Sequence, residues 1–121
     1  MANQTVLICD DTDFIRTLMR DILKRAGYAV LGEARTGAQA VELFKELRPD
    51  LVTMDIVMPD MSGIDAVRAI CDVDPDARIL ICSAIVQQPV VLEAMKAGAR
   101  EFVAKPFRPS SVLEAAQRVL S

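Results

Sequence analysis

The sequence predicts an α/β fold in which a doubly wound, parallel five-stranded sheet is covered by helices on both faces. Two observations predict it. The hydrophobic pattern switches five times between a short apolar run and a longer stretch whose apolar residues recur at helical spacing. Five strands alternating with five helices imply parallel pairing and right-handed crossovers. The second observation is size and composition. The chain has 121 residues, 52% of them hydrophobic. One domain spanning residues 1–121 can then bury roughly two-thirds of its unfolded surface without staples.

Val6 to Cys9 form the first strand, and Phe14, Ile15, Leu18, Met19, Ile22 and Leu23 mark a helix that Gly27 can stop. Val30 and Leu31 suggest a second, weaker strand. Ala40, Val41, Phe44 and Leu47 mark a second helix, closed by Pro49. Leu51 to Met54 is the third strand. Ser62-x-x-Asp65 reads as a capping signal before Ile64, Val67 and Ile70 on a third helix. Ile79 to Cys82 is the fourth strand, and Val91, Leu92 and Met95 mark a fourth helix ahead of Gly98. Phe102 to Ala104 is a short fifth strand. Ser111-x-x-Glu114 then opens a last helix carrying Val112, Leu113, Ala116, Val119 and Leu120.

Composition excludes several kinds of chemistry. There is no histidine, which argues against zinc sites and histidine-based triads. Cys9, Cys71 and Cys82 are an odd set without CxxC spacing, and two of them lie in apolar runs. They read as small core residues in a reducing compartment. The net charge of −3 argues against nucleic acid or an anionic membrane as the main partner. No signal peptide is visible in MANQ, and the longest apolar run, Ile79 to Val86, is too short to span a bilayer. The expectation is a cytoplasmic protein.

In open parallel sheets, ligands bind beyond the carboxyl ends of the strands. The first strand ends at Asp10-Asp11, the third at Asp55, the fourth at Ser83 and the fifth at Lys105-Pro106. Each has a plain explanation alone: Asp10 and Asp11 as helix caps, Ser83 as a turn residue, Lys105 as a solvated charge. Together they place three carboxylates, a hydroxyl and an ammonium on one edge. Clustered carboxylates repel unless a cation offsets them, and oxygen donors of this kind suit Mg²⁺. A carboxylate can also act as a nucleophile and form an aspartyl phosphate, a reaction that needs positioning and charge neutralisation above all. Asp55, an acid between apolar neighbours, is placed to be that phosphoacceptor, with Lys105 and Ser83 at hand for the phosphoryl oxygens.

These residues resemble the receiver domain of two-component response regulators. The resemblance runs end to end. It rests on DD at Asp10-Asp11, MDIVMPDMSG around Asp55, CSA at Cys82 to Ala84 and KPF at Lys105 to Phe107. Within the family, GYAVLGEARTG, SAIVQQ and FVAKPFRPS look most like the chemotaxis regulators. The resemblance implies a flavodoxin-like (βα)5 sandwich with strand order 2-1-3-4-5. It implies that Asp55 accepts a phosphoryl group from a phosphohistidine on a sensor histidine kinase. It implies Mg²⁺ held by the side chains of Asp11 and Asp55, by Asp10 mostly through water, and by the Val57 backbone carbonyl. Lys105 would contact the phosphoryl group, beside a cis bond to Pro106. Ser83 would be the switch hydroxyl and Phe102 the switch aromatic, where many relatives carry tyrosine. The fourth helix, fifth strand and fifth helix would form the output face, with Pro89, Val90 and Phe107 as candidates for contact.

Since the sequence closes with the last helix, the expected output is direct protein contact by a monomer, with the flagellar motor switch as leading partner. A phosphorelay intermediate is the alternative. Apolar Val57 and Ile85 beside the phosphoacceptor imply slow self-dephosphorylation and a separate phosphatase. Two other classes compete. Asp11-Thr12-Asp13 resembles the nucleophile and acid/base pair of haloacid-dehalogenase-type phosphatases, although Phe14 is out of pattern and Asp13 has a simpler reading as a helix N-cap. A flavodoxin-like cofactor binder would need a phosphate-cradling loop where this chain has the acidic DDTD.

Overall fold

The structure, a computed structural model, describes residues 3–121. Five strands and five helices alternate: β1 (Thr5–Cys9), α1 (Asp13–Arg25), β2 (Ala29–Ala34), α2 (Gly37–Leu47), β3 (Leu51–Met54), α3 (Gly63–Val73), β4 (Ile79–Ser83), α4 (Gln88–Ala97), β5 (Glu101–Ala104) and α5 (Pro109–Leu120). The strands form one sheet in the order β2-β1-β3-β4-β5, every pair parallel. That is the predicted fold and order.

Side chains on a strand alternate between faces, and here each face has its own core. Leu7, Cys9, Val52, Met54, Ile79 and Ile81 meet Phe44, Ile64, Val67, Ile70 and Ala94, so α2, α3 and α4 cover one face. Val6, Ile8, Leu51, Leu80 and Cys82 meet Met19, Leu23, Val112, Ala116 and Val119, so α1 and α5 cover the other. Because β1, β3 and β4 are buried on both sides, their sequences are near-continuous apolar runs, with the buried Thr53 the polar residue inside β3. Full burial of a leucine, isoleucine or valine contributes about 1.5–3 kcal/mol, so these three strands form a rigid base for whatever their ends carry.

The helix ends obey local chemistry. Ser62 and Thr36 cap α3 and α2, accepting from the backbone N–H of Ile64 and Gln39. Gly98 closes α4 at φ +128, and Arg48 closes α2 in the left-handed region. Arg48 offsets part of that cost by placing its guanidinium 5.6 Å from the centre of the Phe44 ring.

Four local expectations are corrected. Helix α5 begins at Pro109, two residues before Ser111, because proline at the first turn needs no N–H partner and has its φ preset. Asp13 is the first residue of α1 rather than its cap, which is Thr12. Phe14 is 71% exposed and Leu92 52% exposed, although both fall on apolar stripes. Phe14 sits in the first turn of α1, beyond the end of β1, where no sheet lies beneath it.

Candidate functional site

The register of the sheet builds the site. Cys9 and Met54 are the last paired residues of β1 and β3. The next residues, Asp10 and Asp55, therefore emerge side by side, and the Asp55 N–H donates to the Cys9 carbonyl at 3.0 Å. One strand over, Ser83 ends β4, and its carbonyl accepts from the Lys105 N–H at 2.9 Å. Two adjacent strand pairs thus deliver the acids and the lysine to one edge.

Carboxylate oxygens of Asp10, Asp11 and Asp55 all lie within 4.8 Å of one another. Asp10 and Asp55 are buried, at 2% and 6% exposure, while Asp11 is exposed. Lys105 Nζ lies 2.6 Å from Asp10 Oδ2 and 3.3 Å from Asp55 Oδ2. The other Asp10 oxygen accepts from the Thr12 N–H at 2.9 Å. The Lys105–Pro106 peptide is cis, as the resemblance implies.

One ammonium does not balance three carboxylates. Two like charges about 5 Å apart repel by on the order of 3 kcal/mol at an effective dielectric of about 20. Burial pushes the Asp55 carboxyl above its ordinary value, and the Asp10 charge adds to this, against the opposing pull of Lys105 and the Val57 N–H. Burial works against the Lys105 ammonium, but the hydrogen bond it donates to Asp10 and the charges of Asp55 and Asp10 outweigh that and raise its pKa. A hard cation coordinated by oxygen fits this donor set, since carboxylates converge while the nearby Cys82 thiol is held protonated, its pKa pushed by burial to about 12.

Ser83 is buried, and its Oγ accepts from the Ile85 N–H at 3.2 Å. Phe102 stands opposite Ile81 in the sheet and is half-buried against the core. Of the proposed output residues, Val90 and Phe107 are half-buried against the two cores, and Pro89 is exposed. Val57 is 55% exposed. Asp13 pairs with both Arg16 and Arg35 and stands outside the cluster of Asp10, Asp11 and Asp55.

Three further residues shape the site. Gly63 opens α3 directly over the loop after Asp55, donating its N–H to the Ile56 carbonyl at 2.6 Å. A Cβ there would stand 1.8 Å from the Asp55 carbonyl oxygen. Asp60 accepts from the N–H groups of Gly37 and Ala38 at 2.8 and 2.9 Å, tying the loop after Asp55 to the start of α2. Arg16, buried on α1, donates to the Asp10 carbonyl at 2.7 Å. The sequence carries a signal for it: Arg16 shares the buried stripe of α1 with Met19 and Leu23 at helical spacing.

The two N–H donors to Asp60 hold its carboxyl below the ordinary 3.8. A group depressed on folding adds stability above its unfolded pKa and loses it as pH falls through the folded one. Asp60→Ala is expected to melt lower than wild type at neutral pH. Melting curves at descending pH should show that difference closing below about pH 4.

The parallel sheet thus presents three carboxylates and a paired lysine at adjoining strand ends. The family model described as the response regulator receiver domain matches residues 6–117. The chain is 56% identical over 114 residues to the chemotaxis protein CheY of Thermotoga maritima, covering 94% of this chain and 95% of that protein. It is 51% identical over 116 residues to CheY of Bacillus subtilis, covering 96% and 97%. Among solved structures, the CheX–CheY–BeF3–Mg complex of Borrelia burgdorferi aligns with a TM-score of 0.95 at 32% identity, covering 98% of this chain and 90% of that one. The chain belongs to the response regulator receiver family. Within it, the chain is a receiver of the CheY type found in chemotaxis response regulators.

Proposed function

We propose that this receiver accepts a phosphoryl group on Asp55 from a phosphohistidine of a sensor histidine kinase, and signals by protein contact through α4, β5 and α5. One observation carries the reading: Asp55 is a buried carboxylate whose oxygen lies 3.3 Å from Lys105 Nζ, beside two further acids. In the transfer, an Asp55 oxygen forms a bond to phosphorus as the bond from phosphorus to the donor imidazole nitrogen breaks. Asp11, Asp55 and the Val57 carbonyl, with Asp10 through water, would hold Mg²⁺, which supplies the positive charge that phosphoryl transfer requires. Lys105 binds a phosphoryl oxygen and Ser83 donates to another. Phe102 then packs into the space that the Ser83 hydroxyl leaves, which biases a two-state surface. The flagellar motor switch is the proposed reader, on the strength of the chemotaxis relatives, and a separate phosphatase is the proposed off-switch because Val57 and Ile85 offer no polar group to orient water.

The test is intact mass after incubation with acetyl phosphate and Mg²⁺. Wild type is expected to gain one phosphoryl group, and Asp55→Asn none. Chelating Mg²⁺ should suppress the gain. Equal gain in both proteins would assign the chemistry elsewhere and overturn the reading.

A further inference from the structure

Arg16 is absorbed by neither the core nor the proposed transfer chemistry. Its side chain is 7% exposed, unusual for a residue that is almost never fully buried without partners. All three of its nitrogens are engaged. Nη1 donates to the Asp10 carbonyl at 2.7 Å, Nη2 pairs with Asp13, and Nε lies 3.3 Å from Glu33 Oε1. Glu33 is also held by Arg20 at 2.9 Å, and Asp13 by Arg35 at 3.1 Å. The result is an ion-pair chain from α1 to β2 beneath the acid pocket, with one branch, the Arg16–Asp10 bond, reaching the pocket itself.

That branch completes the anchoring of Asp10. The Asp10 N–H donates to the Ala34 carbonyl at 3.0 Å. One carboxylate oxygen takes the Thr12 N–H, and the other takes Lys105. The carbonyl takes Arg16. Each polar group of Asp10 is thus held from a different direction: β2, the turn into α1, the end of β5, and α1. The peptide whose carbonyl Arg16 grips is the one that joins Asp10 to Asp11, so this bond also sets where the exposed Asp11 points.

We propose that Arg16 is a positioning residue for the acid pocket: by fixing the Asp10–Asp11 peptide it sets the spacing of the carboxylates for a divalent cation. This rests on the reading that the pocket holds such a cation. Two effects of the side chain oppose each other. As a positive charge near the acids, it weakens cation binding. As a geometric anchor, it strengthens it. The structure favours the anchor, because Asp13 and Glu33 already neutralise the guanidinium, whereas the bond to the Asp10 carbonyl has no substitute.

Mg²⁺ titration by calorimetry tests it, using wild type, Arg16→Met, Arg16→Lys and Arg20→Met. Arg20 lies in the same ion-pair chain but makes its pairing with Glu33 and does not touch Asp10. Partners that orient a metal ligand are typically worth about tenfold or more in affinity. Arg16→Met should therefore bind Mg²⁺ about tenfold more weakly, and Arg16→Lys should recover part of the loss through its single donor. Arg20→Met should lose thermal stability yet keep its affinity within about twofold. Amide exchange at Thr12, whose N–H rests on Asp10, should quicken in Arg16→Met and not in Arg20→Met. Unchanged or tighter binding in a folded Arg16→Met overturns the inference, as does equal weakening in Arg20→Met. If Arg16→Met fails to fold, Arg16→Lys carries the test: wild-type affinity and wild-type Thr12 exchange in it overturn the inference. Absence of Mg²⁺ binding in wild type would instead remove the pocket reading on which the inference stands.

Discussion

Gly63→Ala is expected to destabilise the protein by about 3 kcal/mol or more, beyond the usual cost of one added methyl group in a packed interior. The new Cβ would meet the Asp55 carbonyl oxygen at 1.8 Å, and the Asp55 carbonyl carbon and Ile56 Cα at 2.8 Å. All three are backbone atoms, so no side-chain rotation can relieve the clash. Either α3 or the Asp55–Ile56 peptide must retreat, and the Gly63–Ile56 hydrogen bond at 2.6 Å opposes any retreat. Gly37→Ala makes the control. Its added Cβ would meet Met61 Cγ at 2.2 Å, but Met61 is a flexible side chain that can turn away. Chemical denaturation should rank the two variants with Gly63→Ala far below Gly37→Ala. The damage should also reach the chemistry. A displacement of about 1 Å at a reacting group can cost a hundredfold in rate, so phosphoryl uptake on the surviving folded fraction of Gly63→Ala should fall by about that factor. A melting curve close to that of wild type would mean that α3 does not press on the Asp55–Ile56 backbone.

How much of the molecule is legible in the sequence depends on how locally each feature is encoded. The central strands β1, β3 and β4 announce themselves because strands covered on both faces are near-continuous apolar runs, whereas the edge strands β2 and β5 carry Gly32, Glu33 and Glu101 and read more weakly. The strand ends show where the apolar runs stop at Asp10, Asp55 and Lys105. The site is therefore visible in the residues that terminate each run. Features that depend on distant contacts are not legible. Asp60 caps a helix 23 residues earlier in the chain, and nothing near Asp60 points to Gly37. Gly63 reads as one more turn residue after Ser62 until the approach of α3 to Asp55 is seen. The burial of Arg16 and the exposure of Phe14 reverse ordinary expectation. On α1 the helical stripe is right, but the sheet beneath it ends before Phe14 while Glu33 and the Asp10 carbonyl give Arg16 polar company inside. The start of α5 departs from expectation because the capping pattern at Ser111 competes with proline at the first turn, and the proline prevails.

Lys105→Met is expected to remove phosphoryl uptake and also to cost about 3 kcal/mol of stability in metal-free protein, the low end for breaking a buried ion pair from one side. The methionine keeps the aliphatic volume, so packing is nearly conserved. What it takes away is, among the described residues, the one side-chain cation paired with Asp10 and Asp55, at 2.6 and 3.3 Å. Two buried carboxylates then face each other and Asp11 without an ammonium between them. Asp55 already sits above its ordinary 3.8 because of burial, with Lys105 pulling the other way, so removing Lys105 lets its pKa climb further. A carboxyl raised on folding binds its proton more tightly in the native state. Stability therefore falls as pH rises from the unfolded value through the folded one. The deficit of Lys105→Met relative to wild type should be small near pH 4 and widen toward neutrality, as Asp55 is forced to ionise beside Asp10. Lys105 itself, raised above its ordinary 10.5, stays charged throughout that range, so what changes with pH is the charge of the carboxylates it faces. Adding Asp55→Asn to Lys105→Met removes the charge responsible. The double variant should regain most of the lost stability and the flat pH response, while remaining unable to take up a phosphoryl group. Mg²⁺ should raise the melting temperature of Lys105→Met more than that of wild type, because it then supplies the countercharge that the pocket has lost. A pH-independent deficit, unmoved by the second substitution, would instead trace the loss to the packing of the Lys105 stem and not to the charge it carries.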